Sequence, residues 1–217
     1  MPAIAFEHVM TAGFAAAVTF RIETGAFAAI VVPEQDASDL IVRLLLGIAR
    51  PDSGTVAVLG AVPAELSERE LPLLQQRIGV VAPAGGLISN LKVWENILLP
   101  MEYHLGISQQ EMEERGEAAL RAVGFHRALH ELPGHLSLFE HRLAAQARSF
   151  AMQPGLLVYN ELLSGLKEND QGRLAGNALA YHRDRPGTTS LFLTAQPDTV
   201  RSLPFDQCIV LERGGNG

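Results

Sequence analysis

The stretch AFAAIVVPEQDASDLIVRLLLGI, residues 26 to 48, limits the fold more than any other part of the chain. Residues 26 to 32 form one continuous apolar run, the pattern of a strand buried on both faces. A polar loop follows, and from Leu40 to Ile48 the apolar positions take helical spacing. Further strand-like runs lie at Arg77 to Ala82, Leu156 to Tyr159, Ser190 to Thr194 and Cys208 to Leu211. Helical patterns fall between them, at Ser67 to Gln75 and from about Asn169 to Arg183. Buried strands alternating with helices imply a mostly parallel sheet with helices packed on it. Nearer the N-terminus, Ile4, Phe6 and Val9, then Val18, Phe20 and Ile22, alternate with polar residues as half-buried strands do. Thr55 to Leu59 is a further strand. From Pro83 to about Phe150 strand patterns cease, so this segment reads as a helical lobe inserted into the sheet.

With 217 residues the chain can bury one substantial core. A net charge of −7, with no stripe of Lys and Arg, argues against a nucleic-acid partner. The single cysteine, Cys208, permits no internal disulfide, suggests a reducing compartment, and reads as inert core on a terminal strand. The N-terminus MPAIAFEHVM lacks a basic segment ahead of an apolar one and does not read as a secretory signal. No apolar run reaches the length of a membrane span. The expectation is a cytoplasmic protein, peripheral to the inner face of the cell membrane only through a partner.

The loop between strand and helix has the outline of a phosphate-binding loop without its chemistry. The pattern G-x-x-x-x-G-K-[ST] works because glycines let backbone N–H groups close around phosphate, lysine adds a cation, and the hydroxyl holds Mg²⁺. Here the eight positions are Val32, Pro33, Glu34, Gln35, Asp36, Ala37, Ser38 and Asp39. The glycines and the lysine are gone, and three acids stand nearby. Like charges about 5 Å apart repel by roughly 3 kcal/mol per pair at an effective dielectric near 20, the wrong sign for a polyphosphate. The plainest reading is a strand-to-helix loop with Asp36 or Ser38 as N-cap.

Longer landmarks resemble an ATP-binding cassette (ABC) transporter ATPase subunit over nearly the whole chain. LIVRLLLGIARPDSGTVAVLG (40 to 60) is similar to the helix, turn and strand after that family's phosphate loop, and LSERELPLLQQRIGVV (66 to 81) to the approach to its glutamine loop. LSLFEHRLAAQARSF (136 to 150) stands where the signature helix belongs, LLVYNELLSGL (156 to 166) where the Walker B strand does, and SLFLTAQPDTV (190 to 200) where a strand delivers the switch histidine. GGLISNLKVWENILLPMEYHLG (85 to 106) most resembles the cassettes that serve Mla-type lipid permeases. The resemblance implies an α/β P-loop NTPase fold in one domain, 1 to 217. Segments 1–82 and 151–217 form a RecA-like, mostly parallel sheet with an N-terminal antiparallel β subdomain, and 83–150 form the helical subdomain.

At each site that the resemblance implies, the residues depart from the family pattern. Ser137 matches the signature, but Leu138 and Phe139 replace its glycines and Glu140 its glutamine. Glu161 holds the position of the general base, while Asn160 replaces the aspartate that orders Mg²⁺. Lys167 replaces the aspartate that contacts the dimer partner, Pro83 holds the glutamine-loop position, and Ala195 holds that of the switch histidine. His126 and His130 share a helical spacing, but no third ligand completes a metal site.

These departures imply a degenerate cassette subunit that does not hydrolyse ATP, with no cofactor expected. Its implied partners are an integral-membrane permease, docked near Leu91 and Trp94 in an apolar groove between Leu87 and Leu99, and a second cassette. That second cassette is either another copy or an intact ABC ATPase. Two rivals stay open: an active transport ATPase that binds ATP and Mg²⁺ in an atypical pocket, and a soluble interaction protein that reuses the fold.

Overall fold

The computed structural model describes residues 1–127 and 129–212 and contains two sheets. Three strands form an antiparallel sheet in the order β2–β1–β4: β1 (Pro2–Met10), β2 (Val18–Glu23) and β4 (Ser53–Val58). Phe6 of β1 stacks on Phe20 of β2 at 4.5 Å between ring centroids, one of the aromatic cross-strand pairs that fix register. The β1 ladder is irregular between Glu7 and Met10, where His8 takes a left-handed φ of 51°. Gly54 lies against this kink, and a Cβ there would come within 2.3 Å of the His8 carbonyl oxygen, so only glycine fits.

The second sheet is wholly parallel, in the order β5–β6–β7–β3–β8, formed by β3 (Phe27–Val31), β5 (Ile78–Val81), β6 (Leu156–Asn160), β7 (Thr189–Thr194) and β8 (Gln207–Val210). Every residue of β6 and β7 is buried, which explains the apolar runs at their centres, Leu156–Tyr159 and Leu191–Leu193. The two-residue period of a strand divides the core. Leu157 and Tyr159 of β6, with Phe27 and Phe192, face one cluster; Leu156 and Val158, with Ile30 and Leu193, face the other. The second cluster is closed by α1 (Gln35–Leu45) and the antiparallel sheet. The first is closed by α3 (Val93–His104), α4 (Gln109–Val123), α5 (Leu138–Ala151) and α6 (Glu168–Asp184). A short α2 (Glu70–Gln75) precedes β5.

Helices α3 to α5 lie between β5 and β6 in the chain. Each boundary has a local cause. Ser108 caps α4 by accepting the Glu111 N–H at 3.2 Å, and Gly124 ends it in the left-handed region. Ser137 starts α5 with Glu140 as its reciprocal partner.

Three expectations need correction. The helix after β3 begins at Gln35, not Leu40, because the polar residues 34 to 36 form the exposed side of its first turn. Neither Asp36 nor Ser38 is its N-cap. Glu34 holds that position, and Ser38 is fully buried within the helix, its hydroxyl donating to the Gln35 carbonyl at 2.7 Å. Cys208 is exposed on β8, the edge strand, rather than buried.

Candidate functional site

In an open parallel sheet, ligands gather at the carboxyl ends of the strands. Here the ends of β3, β6 and β7 meet the start of α1. The Val32 N–H donates to the Thr194 carbonyl at 2.9 Å, and the Glu161 N–H to the Leu193 carbonyl at 2.9 Å, so the three loops share one scaffold. Two groups of residues separated in the sequence are thereby joined. Asn160, at the end of β6, donates through Nδ2 to Asp39 Oδ1 of α1 at 2.6 Å. Asn160 Oδ1 is buried and accepts nothing.

Glu161 is 3% exposed and takes a left-handed φ of 50°, a strain of about 1 kcal/mol or more for a non-glycine residue. Its carboxylate is occupied on both oxygens. Oε1 accepts the Ala195 N–H at 2.6 Å; Oε2 accepts the Thr194 hydroxyl at 3.3 Å and the Ser164 hydroxyl. A general base must present a free lone pair to water. This one is buried and commits three of its roughly four acceptor sites to tying the ends of β6 and β7 together.

Arg142, which no sequence motif singles out, completes the cluster from α5. It is 3% exposed and donates through Nε to the Pro83 carbonyl at 2.8 Å, and through one terminal nitrogen to the carbonyls of Leu162 at 2.8 Å and Ser164 at 2.6 Å. Burial pushes its pKa down, and the Glu161 charge opposes that shift. An arginine in an alanine-rich helix resembles a solvated face in sequence, so only its spatial partners reveal it.

The remaining positions are more local. Ser137 and Glu140 form a capping box: Glu140 Oε2 accepts the Ser137 N–H and hydroxyl, both at 2.8 Å. Accepting the Ser137 N–H holds the Glu140 carboxyl below its ordinary range. Leu138 is 40% exposed, and Phe139 packs beneath the Arg173 guanidinium at 4.9 Å. Lys167 is the N-cap of α6. Trp94 packs its ring on Gly116 of α4, and Leu91 donates its N–H to the Ile88 carbonyl; neither lines the groove beside α3.

That groove consists of two adjoining clefts of about 380 and 240 Å³ that share Pro100, His104 and Arg148. Ile88 and Tyr103 stand on its rim, 43% and 75% exposed. A further cleft of about 270 Å³ lies beside the loop after β3, lined by Phe14, Val18, Pro33 and Ile209 among others.

Residues 39–183 match the family model described as ABC transporter, and the chain belongs to that family. It is 31% identical over 223 residues to methionine import ATP-binding protein MetN 2 of Paraburkholderia xenovorans, covering 98% of this chain and 57% of that protein. It is 29% identical over 197 residues to MetN 1 of Rhodococcus jostii, covering 91% of this chain and 57% of that protein. The chain thus spans little more than half the length of these relatives. Among solved structures it is similar to a dimeric bacterial ABC transporter cassette, MJ0796, with a TM-score of 0.84 at 20% identity, covering 97% of this chain and 95% of that one. A likeness also holds to cbiO1 from Clostridium perfringens, part of the cbiONQ complex, with a TM-score of 0.83 at 20% identity over 98% of this chain and 86% of that one. These likenesses establish the P-loop ABC ATPase fold that the sequence resemblance implies.

The family also overturns one expectation, that no cofactor is needed. The relatives are ATP-binding proteins, and the family implies ATP and Mg²⁺ as ligands. The substitutions in residues 32–39 bear on the phosphate and metal end of that ligand. Beside this loop, the cleft at Phe14 and Pro33 presents a half-buried aromatic ring. At the phosphate and metal end the residues present do not fit in the usual way. No residue from 32 to 38 takes the left-handed backbone of a glycine nest, Ser38 turns its hydroxyl inward, and Asp39 is engaged by Asn160. One orphaned amide oxygen and one buried carboxylate already holding three donors do not make a magnesium clamp.

Proposed function

We propose that this chain is the cassette subunit of a membrane transporter and docks on an integral-membrane permease without hydrolysing ATP itself. Family membership supports the transporter role. The observation that carries the non-hydrolysing part is the Glu161 carboxylate, buried and held by donors from Ala195, Thr194 and Ser164. The groove beside α3, with exposed Ile88 and Tyr103, supports docking. On this reading the chain acts at the inner face of the membrane as one domain with residues 83–150 as its helical lobe. It pairs with a second cassette, itself or an intact ATPase, and serves a structural or regulatory role.

The lipid-asymmetry resemblance favours a lipid cargo, whereas the relatives are methionine importers, which favours import of an amino acid. The relatives' similarity extends over almost the whole of this chain, so it is the stronger support. Nucleotide binding and turnover are separable here. The test titrates the purified chain with ATP by calorimetry and follows phosphate release in the same samples, alone and with the cognate permease. Binding without release supports the reading; release that depends on Mg²⁺ and on the chain alone overturns it.

A further inference from the structure

At the end of the parallel sheet opposite the loop junction, His182 closes the last turn of α6 over the starts of the strands. Its Nδ1 lies 3.2 Å from the Ser190 hydroxyl of β7, and its ring packs on Phe27 of β3 at 5.1 Å between centroids. His182 is half-buried; Ser190 is fully buried. Ser190 pairs in register with Leu157 of β6, which sets it diagonal to Tyr159 on the same face of the sheet. The Tyr159 hydroxyl is buried and makes no hydrogen bond of ordinary geometry; Ser190 is the neighbour that offsets part of its desolvation. Such a line of three groups has a direction. With His182 uncharged and Nδ1 bare, the Ser190 O–H donates to the ring, and its oxygen is left to receive the Tyr159 O–H. Protonation puts hydrogen on both ring nitrogens, so Nδ1 then donates to Ser190. The serine must turn its own proton toward Tyr159, whose O–H is left without an acceptor in the core. One proton at the half-buried end thus unpairs a donor at the fully buried end.

We propose that His182, Ser190 and Tyr159 form a proton-sensitive latch that holds the end of α6 to the starts of β3, β7 and β8 and loosens in acid. The charges that act on the ring among the described residues are Asp206, just ahead of β8, and Arg183 on α6; β3, β6 and β7 bring only Phe27, Tyr159 and Ser190. Asp206 also accepts the Phe27 N–H at 2.8 Å, which ties the latch to β8. Its carboxylate and the C-terminal end of α6 favour the charged ring. Burial opposes the charge more strongly, with Arg183 adding to it, so the pKa lies below the ordinary 6.5. The latch therefore stabilises in full above 6.5, and its contribution is lost as pH falls through the lower folded value.

The test follows the His182 Cε1–H resonance of the full chain by NMR, from about pH 8 to about pH 5. Its assignment comes from its absence in His182→Gln or, should that variant not fold, from its contact with the Phe27 ring. The deciding variant is Tyr159→Phe, which keeps the ring and removes only the donor that protonation orphans. That hydroxyl makes no hydrogen bond of ordinary geometry, so the variant is expected to fold. The expected result is a rise of roughly half a unit or more in the His182 pKa. Amide exchange, corrected for its intrinsic pH dependence, gives the second readout. Protection of residues 206 to 208 and of the end of α6 is expected to fall about tenfold across the His182 titration, and by less in Tyr159→Phe. A titration that Tyr159→Phe does not move overturns the hydroxyl line. Protection that stays constant while His182 titrates overturns the latch.

Discussion

The loop junction after β3 and the groove beside α3 differ in where their polar groups are satisfied. At the junction, Asp39 takes the Asn160 amide, Glu161 takes three donors, and Arg142 takes three carbonyls. Almost every group there is used by the chain itself. In the groove, Arg148 meets no carboxylate, and large apolar side chains face outward. A region that has closed on its own chemistry serves stability; a region with unmet charge and apolar surface serves a partner. The contrast predicts that substitutions at the junction act mainly on folding, and substitutions in the groove mainly on association.

The largest effect is expected from Asn160→Asp. It sets a second carboxylate against Asp39, where the amide nitrogen now lies 2.6 Å away, at a position only 3% exposed. Loss of about 3 kcal/mol at neutral pH is expected, seen in chemical denaturation and partly relieved in acid as one carboxyl takes a proton. No loss would mean that the junction is looser than its hydrogen bonds imply. Glu161→Ala follows closely. It leaves the Ala195 N–H unmet, takes one acceptor from the Thr194 and Ser164 hydroxyls and removes the charge facing Arg142, at a cost of about 2–3 kcal/mol. A melting temperature equal to that of the parent would contradict the tying role.

Restoring the phosphate-loop chemistry with Ser38→Lys and Asp39→Ser also tests the junction. Ser38 is fully buried, so a lysine there must either unpair or displace the first turn of α1, costing about 2 kcal/mol in the absence of nucleotide. Unchanged melting would show that the loop readily accepts the family pattern. Smaller again is the cap of α5. Ser137→Ala is expected to cost about 1 kcal/mol. Because the Glu140 carboxyl is held below its ordinary range, its contribution is complete above its unfolded-state pKa, near 4.5, and is lost as pH falls through the lower folded value. The Ser137→Ala penalty therefore shrinks in acid. Smallest in stability is Ile88→Arg in the groove, within about 0.5 kcal/mol, while permease co-purification is lost.

The same contrast explains what could be read from the sequence. The parallel sheet was legible because β3, β6 and β7 are buried on both faces and carry apolar runs at 27–31, 156–159 and 191–193. The start of α1 was not, because Glu34, Gln35 and Asp36 have the composition of a loop although they complete a helical turn. The site was legible only as missing residue types. That Glu161 is consumed by Ala195 and Ser164, or that Arg142 links Pro83 to the end of β6, depends on folded proximity that no spacing reveals. The mistaken expectation of no cofactor has the same origin. It rested on residues 32 to 39, whereas the relatives that match almost the whole of this chain are ATP-binding proteins.

The most direct test of the central claim is phosphate release from ATP at millimolar concentration with Mg²⁺, comparing the parent chain with Glu161→Gln. The account predicts that both release phosphate at the same background rate, because the carboxylate holds the scaffold and activates no water. Release by the parent that the substitution abolishes would contradict it and make this chain an active ATPase.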